Sequence, residues 1–298
     1  MTVTALRGLV KLARPHQYLK NLFVLLPLFF GWKLSDPVAL WGAIKAMAVF
    51  CLAASAVYVF NDLRDLPEDR AHPRKRHRPL AAGVVSPAQA WVFLALLVAA
   101  AGLLTPVVPG RYFPAIMLAY IIINAAYSLG IKHVAIVDLM SIAVGFVLRV
   151  FAGGEASGVA PSHWIVIMTY LLAIFLGLAK RRDDLILAAN GSVDCAVTRK
   201  SLDGYSLEFV SLGMAVMAGV VIVSYILYTL SPDVMAKHGT DKLYLTSLWV
   251  IASILRYMQI TFVEMRSGSP TQVLMRDPFI KTAIVLWVLS FYVLLYWK

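Results

Sequence analysis

Long apolar stretches alternate with short charged ones along this chain, and the apolar stretches set its architecture. Residues 38-60, 206-230 and 279-297 are nearly free of charge. At about 1.5 Å per residue, each is long enough to cross roughly 30 Å of hydrocarbon as a helix. Their apolar residues run on without alternating with polar ones, and lipid offers no partner to open backbone, so the pattern predicts helices and not a β-barrel. Nine spans are predicted, at about 18-33, 38-60, 88-107, 112-129, 135-153, 163-181, 206-230, 243-262 and 279-297. No long polar stretch separates two blocks, so 1-298 reads as one all-α integral membrane domain. Its longest polar loops, about 61-87 and 182-205, are too short to fold alone. Both follow even-numbered spans four helices apart, as a duplicated four-helix unit would place them.

Composition supports the membrane reading, with a mean hydropathy of +0.78. The net charge of +11 is polarised. Arg7, Lys11, Arg14 and Lys20 precede or open the first span, and Arg64, Arg70, Arg74, Lys75, Arg76 and Arg78 follow the second. Lys132 follows the fourth, Lys180, Arg181, Arg182, Arg199 and Lys200 the sixth, and Arg266, Arg276 and Lys281 the eighth. The opposite side receives only Lys33, Lys45, Arg111, Lys237, Lys242 and Lys298. Nine helices put the richer segments on one side, which the positive-inside rule makes cytoplasmic, so a multi-pass protein of the inner (plasma) membrane with a cytoplasmic amino terminus is expected. Charge sorted in this way argues against nucleic acid as a partner. Cys51 and Cys195 lie far apart, which gives neither a disulfide nor a zinc pattern. No small-residue cleavage site follows the basic amino terminus, so the first span is expected to stay.

Candidate chemistry begins where the second span ends, at Asn61-Asp62-Leu63-Arg64-Asp65-Leu66-Pro67-Glu68-Asp69. On a helix, Asn61, Asp65 and Asp69 share one face, with Asp62 beside Asp65. Carboxylates this close repel unless a cation lies among them. Oxygen ligands without thiolate or imidazole suit Mg²⁺, which completes its shell with water and substrate phosphate. Pro67 removes a backbone donor, so a kink is expected before Asp69. The basic run after it, with Lys75 and Arg78, would hold outer diphosphate oxygens and stabilise a departing pyrophosphate. Ordinary readings compete with these: ion pairing of the carboxylates with neighbouring arginines, and contact of Arg74, Lys75 and Arg76 with anionic lipid.

Asn61-Asp62-x-x-Asp65-x-x-x-Asp69, Lys75, Arg78-Pro79-Leu80-Ala81-Ala82-Gly83 and Tyr127-Ser128-x-x-x-Lys132 together resemble the UbiA superfamily of intramembrane prenyltransferases. The resemblance implies nine transmembrane helices around a central cavity with a cytoplasmic cap, and Mg²⁺-diphosphate bound at the first acidic motif. Aromatic prenyltransferases of this kind carry a second motif with aspartates four residues apart. Here that place reads Lys180-Arg181-Arg182-Asp183-Asp184. Adjacent helical residues point about 100° apart, so one aspartate would face the cavity, and Asp184 is preferred over Asp183. This form is similar to the branch containing decaprenyl-phosphate phosphoribosyltransferase, as are Arg14-Pro15-x-Gln17-Tyr18-x-Lys20-Asn21 and Gly145-Phe146-x-x-Arg149-x-x-Ala152-Gly153-Gly154.

The branch resemblance implies transfer of 5-phosphoribose from 5-phosphoribosyl 1-diphosphate to a polyprenyl phosphate. Metal ligands would be Asn61, Asp65 and Asp69, with Asp62 as ligand or support. Asp62, Asp65 and Asp69 form the catalytic set. Lys20, Lys75, Arg78, Tyr127, Lys132, Lys180, Arg181, Arg182 and Asp184 would bind substrate. Extra cations suit a donor and an acceptor that both bring phosphate. Alternatives are prenyl transfer to an aromatic or lipophilic acceptor, and a polyprenyl-phosphate transporter or binding protein. Asp138 is expected to pair with a cation such as Lys132 or to serve the cavity, and Arg149 to find a structural partner such as Glu155. Arg276-Asp277-Pro278 reads as a helix start. Membrane lipid surrounds the bundle, and small residues on the spans could pack within it or between copies of a homo-oligomer.

Overall fold

A computed structural model describes residues 3–72, 75–189, 202, 204–265 and 270–296. Arg74, Cys195, Arg199, Lys200, Arg266 and Lys298 lie outside the described residues. Those described form helices and connecting turns, with no strand among them. The α-helices are α1 (Val3–Ala13), α2 (Leu26–Phe30), α3 (Pro37–Arg64), α4 (Leu66–Ala71), α5 (Pro87–Leu104), α6 (Phe113–Leu129) and α7 (Val137–Ser157). Later in the chain come α8 (His163–Ala189), α9 (Leu207–Thr229), α10 (Pro232–His238), α11 (Ser247–Phe262), α12 (Pro270–Arg276) and α13 (Pro278–Tyr296).

Seven of the described helices are long and apolar enough to cross a membrane: Pro37–Arg64, Pro87–Val107, Val137–Ser157, His163–Ala189, Leu207–Thr229, Lys242–Phe262 and Pro278–Leu295. They match seven of the nine predicted spans. Predicted span 112-129 appears as α6, apolar but only 17 residues long. Span 18-33 is not one α-helix: Pro15–Leu25 winds as a 3₁₀ helix, and only Leu26–Phe30 is α-helical. Pro27 explains the break, since it has no N–H and its ring would clash with the preceding turn. The sixth span also differs from its prediction. α8 continues to Ala189, so residues 182–189, expected at the start of the loop 182-205, belong to the helix.

Local sequence starts the long helices. Asp36 accepts hydrogen bonds from the N–H groups of Val38 and Ala39 at 3.0 and 3.2 Å, ahead of Pro37 in the first turn of α3. Ser86 and Gln89 form a reciprocal capping box before α5.

The chain divides into two compact units, residues 1–166 with 187–204 and residues 167–186 with 205–298. In the first, α3 packs against α5, α6 and α7. Phe50, Val49 and Ala53 of α3 meet Phe113 and Met117 of α6 and Ala152 of α7 in one core. In lipid such burial exchanges lipid for protein contact, so close backbone approach matters more than apolar area. A methyl group at Gly153 would run into the carbonyl of Val24, and one at Gly42 into the carbonyl of Ala156. In the second unit, Phe175 stacks edge-on with Tyr257 at 5.5 Å. Tyr225 bonds to Thr246 at 2.6 Å and accepts from Trp287 at 2.7 Å.

Candidate active site

The acidic run straddles the junction of α3 and α4. Asp65 stands between them, its N–H bonded to the Asn61 carbonyl at 2.9 Å, and the Asp69 N–H bonds to the Asp65 carbonyl at 2.8 Å. Pro67 falls in the first turn of α4, where its missing N–H costs nothing. The expected interruption is thus a helix restart at Asp65.

Each aspartate of the motif is held by a cation. Asp62, 2% exposed, accepts from Arg14 at 2.5 Å and from Arg78 at 2.9 Å. Asp69, also 2% exposed, accepts from the same Arg78 Nη1 at 2.5 Å. Asp65 is bonded to Lys132 through Oδ1 and to Asn61 through Oδ2, the latter at 3.0 Å. Arg14, Arg78 and Lys132 come from three separate segments, so the charges balance across the tertiary fold. One oxygen stands outside this arrangement: Asp69 Oδ1 is buried with no hydrogen-bond partner among the described residues. Burial pushes the Asp69 carboxyl above the usual carboxylate range, against the opposing pull of Arg78 and Lys75.

The cations are aimed by their surroundings. Arg78 precedes Pro79 and Leu80, and Leu80 is buried with Leu12, Ala56 and Val59. Gly83 then turns the chain at φ 75°, which favours glycine. Lys75 opens the short 3₁₀ turn Lys75–His77, where its N–H bonds to His72 Nδ1 at 3.2 Å. Lys132 lies in the turn Ile131–His133 after α6, and half-buried Tyr127 is on the last turns of α6 itself. Arg14 joins α1 to the 3₁₀ helix with φ 54° and ψ 57°, a strained conformation for a residue other than glycine. Its guanidinium also lies over the Tyr58 ring at 5.1 Å. Partial burial, together with the charges of Arg14 and Lys20, holds the His16 imidazole below its usual range. Lys20 is half-buried in the same 3₁₀ helix.

In the sequence, Arg14 counts toward orientation and toward the motif Arg14-Pro15-x-Gln17-Tyr18, with no link to Asp62. Below it, Tyr18 bonds to Ser55 at 2.8 Å, and Ser55 donates to the Ala13 carbonyl at 2.9 Å. Arg149 is 6% exposed and does not pair with Glu155. It donates to Asn21 Oδ1 at 2.8 Å, the Gly145 carbonyl at 2.7 Å and the Tyr120 hydroxyl at 2.9 Å. The faces of Phe50, Tyr120 and Phe146 surround it. Six helical positions separate Glu155 from Arg149, turning it about 120° away, and it instead accepts from the Tyr112 N–H at 3.1 Å. Asp138 is buried in the first turn of α7.

In the second unit, Lys180 is exposed, whereas Arg181, Arg182 and Asp183 are buried. Asp184 accepts from Arg181 at 3.4 Å. Arg182 donates to the Thr261 carbonyl at 2.7 Å and to Ser211 at 3.3 Å, and lies over the Phe262 ring at 4.4 Å. Its contacts tie α8 to α9 and α11. Asp277 does start α13, accepting from the Ile280 N–H at 2.8 Å, and it also holds Arg256 at 2.8 Å.

The donor set of the acidic run suits magnesium in kind, being all oxygen. The unbonded buried oxygen of Asp69 fits a further cation, although among the described residues no three acidic, histidine or cysteine side chains are already gathered around one point. A match to the UbiA prenyltransferase family runs over residues 22–275. A decaprenyl-phosphate phosphoribosyltransferase of Mycolicibacterium smegmatis is 33% identical over 293 residues, covering 94% of this chain and 90% of the relative. The enzyme of that name from Corynebacterium glutamicum is 31% identical over 290 residues, covering 94% and 84%. Among solved structures, a UbiA homolog from Archaeoglobus fulgidus bound to DMAPP and Mg²⁺ superposes with a TM-score of 0.70 at 19% identity, covering 97% of this chain and 99% of that one.

Proposed function

Because this chain belongs to the UbiA prenyltransferase family, we propose that it transfers 5-phosphoribose from 5-phosphoribosyl 1-diphosphate to a polyprenyl phosphate of decaprenyl type, releasing pyrophosphate. The observation that carries this reading is the set of cations on the acidic run. Arg14, Arg78 and Lys132 already converge on Asp62, Asp65 and Asp69, and each is chemically suited to phosphate. Two near-full-length relatives bearing one name support the choice of donor.

Asn61, Asp65 and Asp69 would hold Mg²⁺, with Asp62 in support. The ion would supply neutralisation of diphosphate charge, which makes pyrophosphate a better leaving group. When the donor binds, Arg78 and Lys132 exchange carboxylate oxygens for phosphate oxygens, while Arg14 stays on the buried Asp62 and keeps its charge balanced. Lys20, Lys75 and Tyr127 extend this phosphate-binding set. Lys180, Arg181 and Asp184 are assigned to the acceptor end. Arg182 keeps its bonds within its own unit and acts by fixing α8. An acceptor phosphate oxygen forms a bond to the anomeric carbon while the bond from that carbon to the diphosphate breaks, both electrons leaving with pyrophosphate. The acceptor is already ionised near neutral pH, so no strong general base is required. A single displacement inverts the anomeric centre. The reading includes a nine-helix bundle with a central cavity and cytoplasmic cap in the inner membrane, and places the acidic run on the cytoplasmic side.

Purified protein with Mg²⁺ tests the choice of donor. Pyrophosphate should appear with phosphoribosyl diphosphate plus a polyprenyl phosphate, and not with a prenyl diphosphate plus 4-hydroxybenzoate. The opposite pattern reassigns the chain to prenyl transfer, and release from neither pair leaves a transporter or binding protein.

A further inference from the structure

Helix α1 is packed on one side only. Ala5, Gly8 and Leu12 face the first unit, with Leu12 buried among Ala56, Val59 and Leu80, and a methyl group at Gly8 would meet Val85 and Val84. Ala56 and Val59 belong to the last turns of α3 before Asp62, so α1 lies at the level where that span ends. The other side of α1 carries two adjacent strips. Leu6 and Val10, 57% and 54% exposed, form an apolar one. Arg7 and Lys11, both exposed, form a basic one about 100° further round the helix. Val84, beside Gly8, is also exposed. An apolar strip beside a basic strip, at the end of a membrane span, has the chemistry of a helix lying in a lipid interface.

The end of α1 connects this surface to the acidic run. Ala13, its last residue, accepts from Ser55 at 2.9 Å, and the next residue is Arg14, bonded to Asp62. Arg14 holds a left-handed backbone conformation that persists only when its surroundings fix it. Asp62 fixes one end of this joint and α1 the other.

We propose that α1 docks on the anionic leaflet bordering the acidic run, with Leu6 and Val10 at the hydrocarbon boundary and Arg7 and Lys11 on lipid phosphates, and that this docking keeps Arg14 on Asp62. Two cations near an anionic surface favour docking by roughly fivefold each. Anionic lipid therefore acts as an activator of the site through α1. The activity part rests on the proposed transfer reaction; the docking part does not.

An environment-sensitive fluorophore on Leu6→Cys, in a chain with Cys51→Ser and Cys195→Ser, reads docking in vesicles of phosphatidylcholine with or without phosphatidylglycerol. Emission should shift to the blue with phosphatidylglycerol, and the shift should be lost in Arg7→Gln/Lys11→Gln. Trypsin cleavage after Arg7 and Lys11 gives a second reading on the unaltered chain and should slow with the anionic lipid. Emission and cleavage that are the same in both vesicles overturn the docking. Transfer should rise several-fold with phosphatidylglycerol in the unaltered chain and stay at the neutral-lipid rate in Arg7→Gln/Lys11→Gln; equal stimulation of both overturns the coupling. Absence of transfer in every vesicle, with the emission shift intact, rejects the reaction and upholds the docking.

Discussion

Arg14 donates to Asp62 at 2.5 Å across 48 positions of sequence, and this bond fastens the amino-terminal segment to the acidic run at the end of α3. Asp62 is almost fully buried, so its charge depends on Arg14 and Arg78. Substituting Arg14 by alanine should lower kcat/KM for the phosphoribosyl donor by about 1.5–3 kcal/mol, roughly 10- to 150-fold. Arg14→Lys should recover part of the loss, because a lysine supplies charge without the guanidinium fork. Steady-state kinetics with varied donor checks both.

Asp65 is the carboxylate with Lys132 on one oxygen and Asn61 on the other. Asp65→Ala should abolish turnover while leaving the protein folded, since Asp65 is less buried than its neighbours. Near-normal turnover with normal thermal unfolding would remove the metal-binding role from this motif.

The acid limb of donor binding should lie above the usual carboxylate range. Asp69 carries a raised pKa, caused first by burial, so its proton stays on at pH values where an ordinary aspartate is ionised. For stability, the protonated form favours the fold at low pH, and that contribution is lost as pH rises through the folded-state pKa. Arg78 opposes the shift, so Arg78→Gln should move the acid limb still higher. Donor affinity measured across pH for both proteins shows it. An acid limb that moves downward in Arg78→Gln would contradict the assignment.

Arg149 and Arg182 should report on stability. Removing Arg149 strands Asn21 and Tyr120, and Arg149→Met should cost about 2–4 kcal/mol, seen as a lower unfolding temperature in detergent. Arg182→Ala should behave likewise, having lost the Thr261 and Ser211 bonds. Lys180→Ala, at an exposed position, should leave unfolding unchanged and raise KM for the polyprenyl phosphate.

Much of this was legible in the sequence, for reasons specific to each element. The nearly uncharged runs at 38-60 and 206-230 could only be helices in lipid, and α3 and α9 match them closely. The acidic run was visible because buried carboxylates at a span end are costly without a cation. The winding of the first span was not legible, because hydropathy does not register that Pro27 keeps 18-33 from forming one continuous α-helix. Arg182 to Asp184 were placed in the loop 182-205 because charge was taken to end the span, whereas bonds from Arg182 to α9 and α11 allow α8 to continue. Partners remote in sequence were the hardest to see. Nothing in spacing joins Arg14 to Asp62 or Arg149 to Asn21, and Arg149 was matched with Glu155 only because the two are close in the chain.

The most direct test tracks the sugar itself. Protein in bilayers with Mg²⁺ and a polyprenyl phosphate would be given phosphoribosyl diphosphate labelled in its 5-phosphate, and label would be counted in the lipid fraction. Transfer by the unaltered chain is predicted, with none by Asp65→Ala. Lipid free of label with the unaltered chain, or label transferred equally by Asp65→Ala, would contradict the proposed reaction.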